Sequence, residues 1–199
     1  MRPLAEVEVN VLLSGMRIAF LIGPGFEDLE FWVVYMRLIE EGAQVQVVGT
    51  KAGETYTSKH GGLTARSQVA AADVNPGQFD ALVIPGGWAP DSIRRNAAIK
   101  SLTKGIYDQG KIVGLICHAG LVGVSAHIVE GHRATGSMGI KDDVENGGAT
   151  WVDAPAFRDG NLVWGRVVED IPDFCRELVA ALAEAHAAPH APAREARSA

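Results

Sequence analysis

Lys111-Ile112-Val113-Gly114-Leu115-Ile116-Cys117-His118-Ala119-Gly120 is the stretch that decides how this chain is read. Its first half is apolar at every position, with no alternation, which is the pattern of a central parallel strand covered by helices on both faces. The small residues after Cys117 turn that strand straight into a helix, which makes a nucleophile elbow. A side chain on such a turn stands above the sheet on a strained backbone, and the amides of the next helix lower the pKa of a thiol. A thiolate near neutral pH is therefore expected at Cys117. His118 then serves as its base or as a proton donor to a leaving group. The plainer reading makes Cys117 a small core residue ending a strand and His118 a solvent-facing cap.

Working outward, the apolar run Ile18–Ile22, the helical pattern Asp28–Glu41 stopped by Gly42, and the run Val45–Val48 make a βαβ unit. Ala81–Ile84 is a second fully apolar strand. The fold class that follows is a doubly wound α/β sandwich. Gly53–Ser67 reads as a small edge hairpin, and Phe157–Val167 as a hairpin turning at Asp159-Gly160-Asn161. Helices are predicted over Asn96–Gln109, Ala119–Val129, Ile140–Asn146 and Ile171–Ala185. Met1–Gly15 is taken as an extension, Met16–Ala185 as one folded domain, and His186–Ala199, rich in Ala, Pro, His and Arg, as a disordered tail.

Two further loops carry chemistry. Phe26-Glu27-Asp28-Leu29-Glu30 opens the first helix, where carboxylates cap amides, with Asp28 a natural N-cap. A protonated carboxyl there, Glu27 or Glu30, is the candidate for stabilising the thiolate. Ile84-Pro85-Gly86-Gly87-Trp88-Ala89-Pro90-Asp91 ends a strand in a glycine pair. The Gly87 amide and one from the elbow form a candidate oxyanion hole, with Gly86 beside it and Trp88 at the pocket mouth. The plainer alternative is a tight turn. The segment lacks the Lys and Ser/Thr of a phosphate loop. In open α/β sheets, ligands bind beyond the carboxyl ends of the strands, where these three loops meet.

Composition removes several functions. The 199 residues are 47% apolar and 21% charged, with a net charge of −6. The basic residues form no run or stripe that would follow a phosphate backbone, so no nucleic acid is expected as partner. No stretch approaches the roughly 18 consecutive apolar residues of a membrane span, and the first residues lack a secretory pattern. A cytoplasmic location with two reduced cysteines is expected. Cys175 reads as packing, and Trp32, Trp151 and Trp164 as core or interface aromatics. His60, His127 and His132 lack metal-ligand spacing and read as structural or surface residues. No metal or organic cofactor is implied.

Six segments, in this order, resemble the ThiJ/PfpI family of the class I glutamine amidotransferase-like superfamily: Gly25–Glu30, Asp80–Gly87, Gly114–His118, Ile140–Asp143, Gly148–Asp153 and Asp159–Val163. The likeness spans about Arg17 to Leu182. It implies a flavodoxin-like sandwich with a mostly parallel sheet, Cys117 as nucleophile, His118 as its neighbour and Glu27 as the acid touching the thiol. It also implies that Asp91 reaches the histidine of a neighbouring subunit, and hence a homodimer or higher homo-oligomer. Departures stand at Ser137-Met138, where similar proteins carry an aromatic residue, and at Gly165-Arg166-Val167-Val168.

The resemblance points to a cysteine-dependent enzyme acting on small reactive carbonyls, as a glyoxalase or deglycase, or on peptide and amide bonds, as an intracellular protease-like hydrolase. The alternative from another class is a stress protein whose Cys117 senses peroxide.

Overall fold

The computed structural model describes residues 11–187. A seven-stranded sheet forms the middle layer. Its strands are β1 (Arg17–Leu21), β2 (Gln44–Gly49), β5 (Val69–Ala70), β6 (Ala81–Ile84), β7 (Ile112–Ile116), β10 (Ala156–Asp159) and β11 (Leu162–Gly165), in the order β10-β11-β7-β6-β1-β2-β5. All neighbours are parallel except β10, which runs antiparallel to β11. Two short pairs lie outside it: β3 (Thr55–Thr57) with β4 (Thr64–Arg66), and β8 (Arg133–Ala134) with β9 (Thr150–Trp151). The doubly wound α/β sandwich expected from the apolar runs, and the flavodoxin-like form of it that the resemblance implies, is the fold found.

Helix α1 (Asp28–Glu40) and the long α6 (Ile171–Ala187) cover one face; Phe31, Val34 and Leu38 meet Phe174, Leu178 and Leu182 there. On the other face lie α2 (Ala89–Ile93), α3 (Ala97–Asp108), α4 (Gly120–Ser125) and α5 (Lys141–Asn146). In α3, Ile99, Leu102 and Ile106 recur at helical spacing and are buried, while Asn96 caps the amides of Ala98 and Ile99. β6 and β7 are buried at every position, as strands with helices on both sides must be.

From β1 the chain builds outward through β2 to β5, then returns to β6 and builds the other way. The direction therefore switches between β1 and β6. The loops leaving those two strands part company at this point and open a crevice. An isolated bridge between Phe26 and Gly87 joins them, with Glu27 N–H donating to Gly86 O and Trp88 N–H to Gly25 O.

Four boundaries differ from the sequence reading. Residues 11–15 are part of the fold: Leu13 is fully buried and its N–H donates to Glu41 O at 2.8 Å, while residues 1–10 lie outside the described part. The helix expected over Ala119–Val129 stops at Ser125, because His127 turns into the left-handed region at φ 54° and sends Ile128 and Val129 back into the core. The hairpin expected over Phe157–Val167 closes through Gly160-Asn161 alone, and β11 also pairs with β7. Finally, α6 continues through His186 and Ala187, so the tail expected from His186 begins inside a helix; its remainder lies outside the described residues.

Candidate active site

Cys117 has φ 61°, one of two non-glycine residues with positive φ among the described residues. Such a backbone costs roughly 1–3 kcal/mol and persists where its surroundings fix it. They do so here. Ser137 N–H donates to Cys117 O at 3.1 Å, and Gly136 lies so close that an added Cβ would stand 2.6 Å from that oxygen. The expected elbow is present, and its sulfur faces a cavity of about 640 Å³ whose wall includes Glu27, Lys59, His60, Leu63, His118 and Ser137.

Four groups meet the sulfur. The amides of Gly87 and His118 lie against it and favour its charged form. His118 Nδ1 lies 3.2 Å away. The Glu30 carboxyl faces it across Gly86, whose N–H donates to Glu30 Oε2 at 2.7 Å. Glu30 Oε1 is buried with no hydrogen-bond partner among the described residues, and the carboxyl acts on the thiol through its charge.

Glu30, then, is the carboxyl at the thiol; Glu27 is not. Glu27 is the N-cap of α1, with Oε2 accepting from Leu29 N and Glu30 N, both at 2.8 Å. Its Oε1 lies 3.8 Å from His60 Nδ1. The cap expected at Asp28 therefore falls one residue earlier, and Asp28 instead accepts from Ser58 Oγ at 2.6 Å and from His60 N at 3.2 Å, with His60 Nδ1 at 3.0 Å. The signal for Glu30 was in the helix phase. Glu30, Val34 and Leu38 are four residues apart and all are buried, which puts a carboxylate on a core-facing stripe.

His60 is brought to Glu27 and Asp28, with one possible ligand atom from each lying within 4.8 Å of the others. Sequence spacing did not reveal this grouping. Its bonds are those of a clasp between the β3–β4 hairpin and α1, completed by Lys59 N–H donating to Phe26 O at 2.8 Å. Asp91 lies apart from these residues. It is exposed on α2 and ion-paired with Arg95 one turn along. Trp88 is 63% exposed and packs over Gly25.

Burial dominates the ionisation of the site. It pushes the Glu30 carboxyl up to about 7, despite the opposing effects of the Cys117 thiol and the Gly86 amide. It also pushes the Cys117 thiol well above its usual range; the Glu30 carboxylate adds to that rise, and the Gly87 and His118 amides oppose it. The expected acidification by a helix start is not found. The turn after Cys117 is 3₁₀, α4 has six residues and the sulfur is withdrawn from water. Burial and the charge of Lys59 lower the pKa of His118, which favours a neutral ring.

Residues 16–181 match the DJ-1/PfpI family. The chain belongs to the DJ-1/PfpI family. Within this family it is 43% identical over 164 residues to a deglycase of Pyrococcus abyssi, covering 82% of this chain and 98% of that one. It is 38% identical to deglycase PfpI of Pyrococcus furiosus over the same shares of the two chains. The crystal structure of a two-domain protein from Anabaena variabilis, with DJ-1/ThiJ/PfpI-like and ferritin-like domains, superposes with a TM-score of 0.83 at 33% identity. The match covers 92% of this chain and 52% of that structure, so this DJ-1/PfpI chain spans about half its length. Among the described residues, no helix of this family member is long and apolar enough to cross a membrane.

Proposed function

We propose that the protein is a cysteine-dependent glyoxalase or deglycase, acting on small 2-oxoaldehydes or on their adducts with amines and thiols. The observation that carries this reading is the environment of one sulfur: Cys117, at φ 61°, receives two backbone amides and faces both the Glu30 carboxyl and His118 Nδ1. The names of the relatives from Pyrococcus support the same class.

Glu30 and Cys117 titrate as a pair. When Glu30 holds the proton, its repulsion of the sulfur is gone, and the single negative charge rests on sulfur against two amides and a carboxyl O–H. The thiolate attacks the aldehyde carbon of the oxoaldehyde. A C–S bond forms, and the carbonyl π pair moves onto oxygen, where the Gly87 and His118 N–H groups stabilise it. Protonation gives a hemithioacetal. Its C–H proton is then removed by the ionised Glu30 or neutral His118 and returned to the adjacent carbon, leaving a thioester of the 2-hydroxy acid. Water cleaves that thioester, restores the thiol and completes the sum of oxoaldehyde plus water to hydroxy acid. An amine adduct enters the same sequence once the amine leaves.

The test is lactate formation from methylglyoxal without glutathione, comparing the protein with Cys117→Ala. Lactate from the first and none from the second is expected. Equal turnover by the two overturns the role of Cys117. Lactate from neither overturns the activity and leaves an amide bond or a peroxide as the reactant for the thiol.

A further inference from the structure

The carboxylate of Glu27 uses one oxygen and leaves the other over. Oε2 accepts from Leu29 N and Glu30 N, while Oε1 makes no hydrogen bond among the described residues, on a side chain only 5% exposed. A buried charge is ordinarily paired or bound to a metal.

Two more donor atoms come to the same spot. Asp28 brings Oδ2 and His60 brings Nδ1, which stands 3.0 Å from that Oδ2 and 3.8 Å from Glu27 Oε1; all three atoms lie within 4.8 Å of one another. A tetrahedral ion about 2.0–2.2 Å from each ligand would set them about 3.4 Å apart, so small side-chain shifts bring them onto one ion. Each carboxylate is also oriented through its other oxygen. The α1 amides hold Glu27 Oε2, and Ser58 Oγ donates to Asp28 Oδ1 at 2.6 Å. Such outer contacts are what fix metal ligands in place. The three residues line the Cys117 cavity, from which water can complete the coordination.

The bond between His60 and Asp28 accounts for that pair but leaves Glu27 Oε1 unused. Lys59 lines the same cavity, and its charge opposes a cation there; the two carboxylates outweigh it. The geometry points to Glu27, Asp28 and His60 as the binding site of one divalent transition-metal ion of the zinc or manganese class. One imidazole with two carboxylates suits such an ion, where magnesium or calcium takes oxygen ligands alone. His60 binds through Nδ1 with its ring proton on Nε2, and the ion takes the place of the hydrogen bond to Asp28. Bound there, it ties the β3–β4 hairpin to α1. The site goes beyond the chemistry proposed for Cys117 and does not depend on it.

The test uses the full chain, without a histidine tag and stripped by a chelator, titrated with zinc, manganese and magnesium salts in a calorimeter and followed by thermal melting. Cys117→Ala is titrated in parallel, since a thiol in the same cavity is the competing ligand. The expected result is one zinc or manganese ion per chain, equally in Cys117→Ala, with magnesium weaker. At a hundredfold excess over Kd the melting temperature should rise by about 5–10 °C. His60→Ala removes an exposed ring, and Glu27→Gln keeps an oxygen for the helix cap, so both should fold and bind the ion at least about tenfold more weakly. Absence of zinc and manganese binding overturns the inference. So does binding that both variants leave unchanged, or binding that only Cys117→Ala abolishes.

Discussion

The Glu30 carboxyl and the Cys117 thiol face each other across the Cα of Gly86, where a Cβ would lie 2.5 Å from Glu30 Oε2 and 2.7 Å from Cys117 Cβ. One comes from the first turn of α1 and the other from the end of β7, and both are withdrawn from water. The consequence is a pair of acids that share one proton and cannot comfortably hold two charges.

Burial makes Glu30 costly to ionise. Its folded-state pKa of about 7 lies above the ordinary 4.5, so its contribution to stability is complete below the ordinary value and lost as pH rises through about 7. Denaturation curves between pH 5 and 8 should show Glu30→Gln escaping a loss of about 2–3 kcal/mol that the protein itself undergoes. Turnover by Glu30→Gln should fall roughly a hundredfold. A parallel pH dependence in the two proteins counts against the raised carboxyl.

Gly86→Ala should be inactive. Besides the two contacts above, its Cβ would meet His118 N at 3.0 Å, and this backbone has no freedom to give way. A loss of about 1–3 kcal/mol is expected. Thermal melting and the iodoacetamide labelling rate of Cys117 check it, and a melt within a degree of the parent's contradicts the packing described.

Asp28→Asn should loosen the hairpin wall of the cavity. Burial raises the Asp28 pKa, but the bonds from Ser58 and His60 outweigh it and leave the value lowered. The stability that this carboxylate adds is thus present above the ordinary carboxylate range and lost as pH falls through its lowered value. The variant should be about 1–3 kcal/mol less stable at pH 7, with a raised KM, and should converge with the parent near pH 3.

Cys175→Ala is the control. Cys175 is buried on α6, where burial pushes its thiol up to about 11. Turnover should be unchanged and stability lower by about 1 kcal/mol. A drop in lactate formation would mean that the second thiol takes part.

Much of this is legible in the sequence. β6 and β7 declared themselves because a strand buried on both faces has no polar positions to alternate, and the glycine pair and elbow follow directly from those strands. Rotation about a helix axis was less visible. Choosing between Glu27 and Glu30 requires knowing which face of α1 meets the sheet, and capping chemistry drew the eye to the loop. Ionisation was hidden for another reason. The helix start was plain in the sequence, but the desolvation of Cys117 depends on side chains from β6, α1 and the elbow closing together.

The placement of the Cys117 sulfur owes little to sulfur. Its direction is set by a left-handed main chain, by an amide from Ser137 on its carbonyl, and by a neighbour, Gly136, too small to interfere. A serine at this position would inherit the same address, with an oxygen under the same two amides. The fold thus separates where an attack happens from what attacks, and leaves the second open to exchange by a single codon.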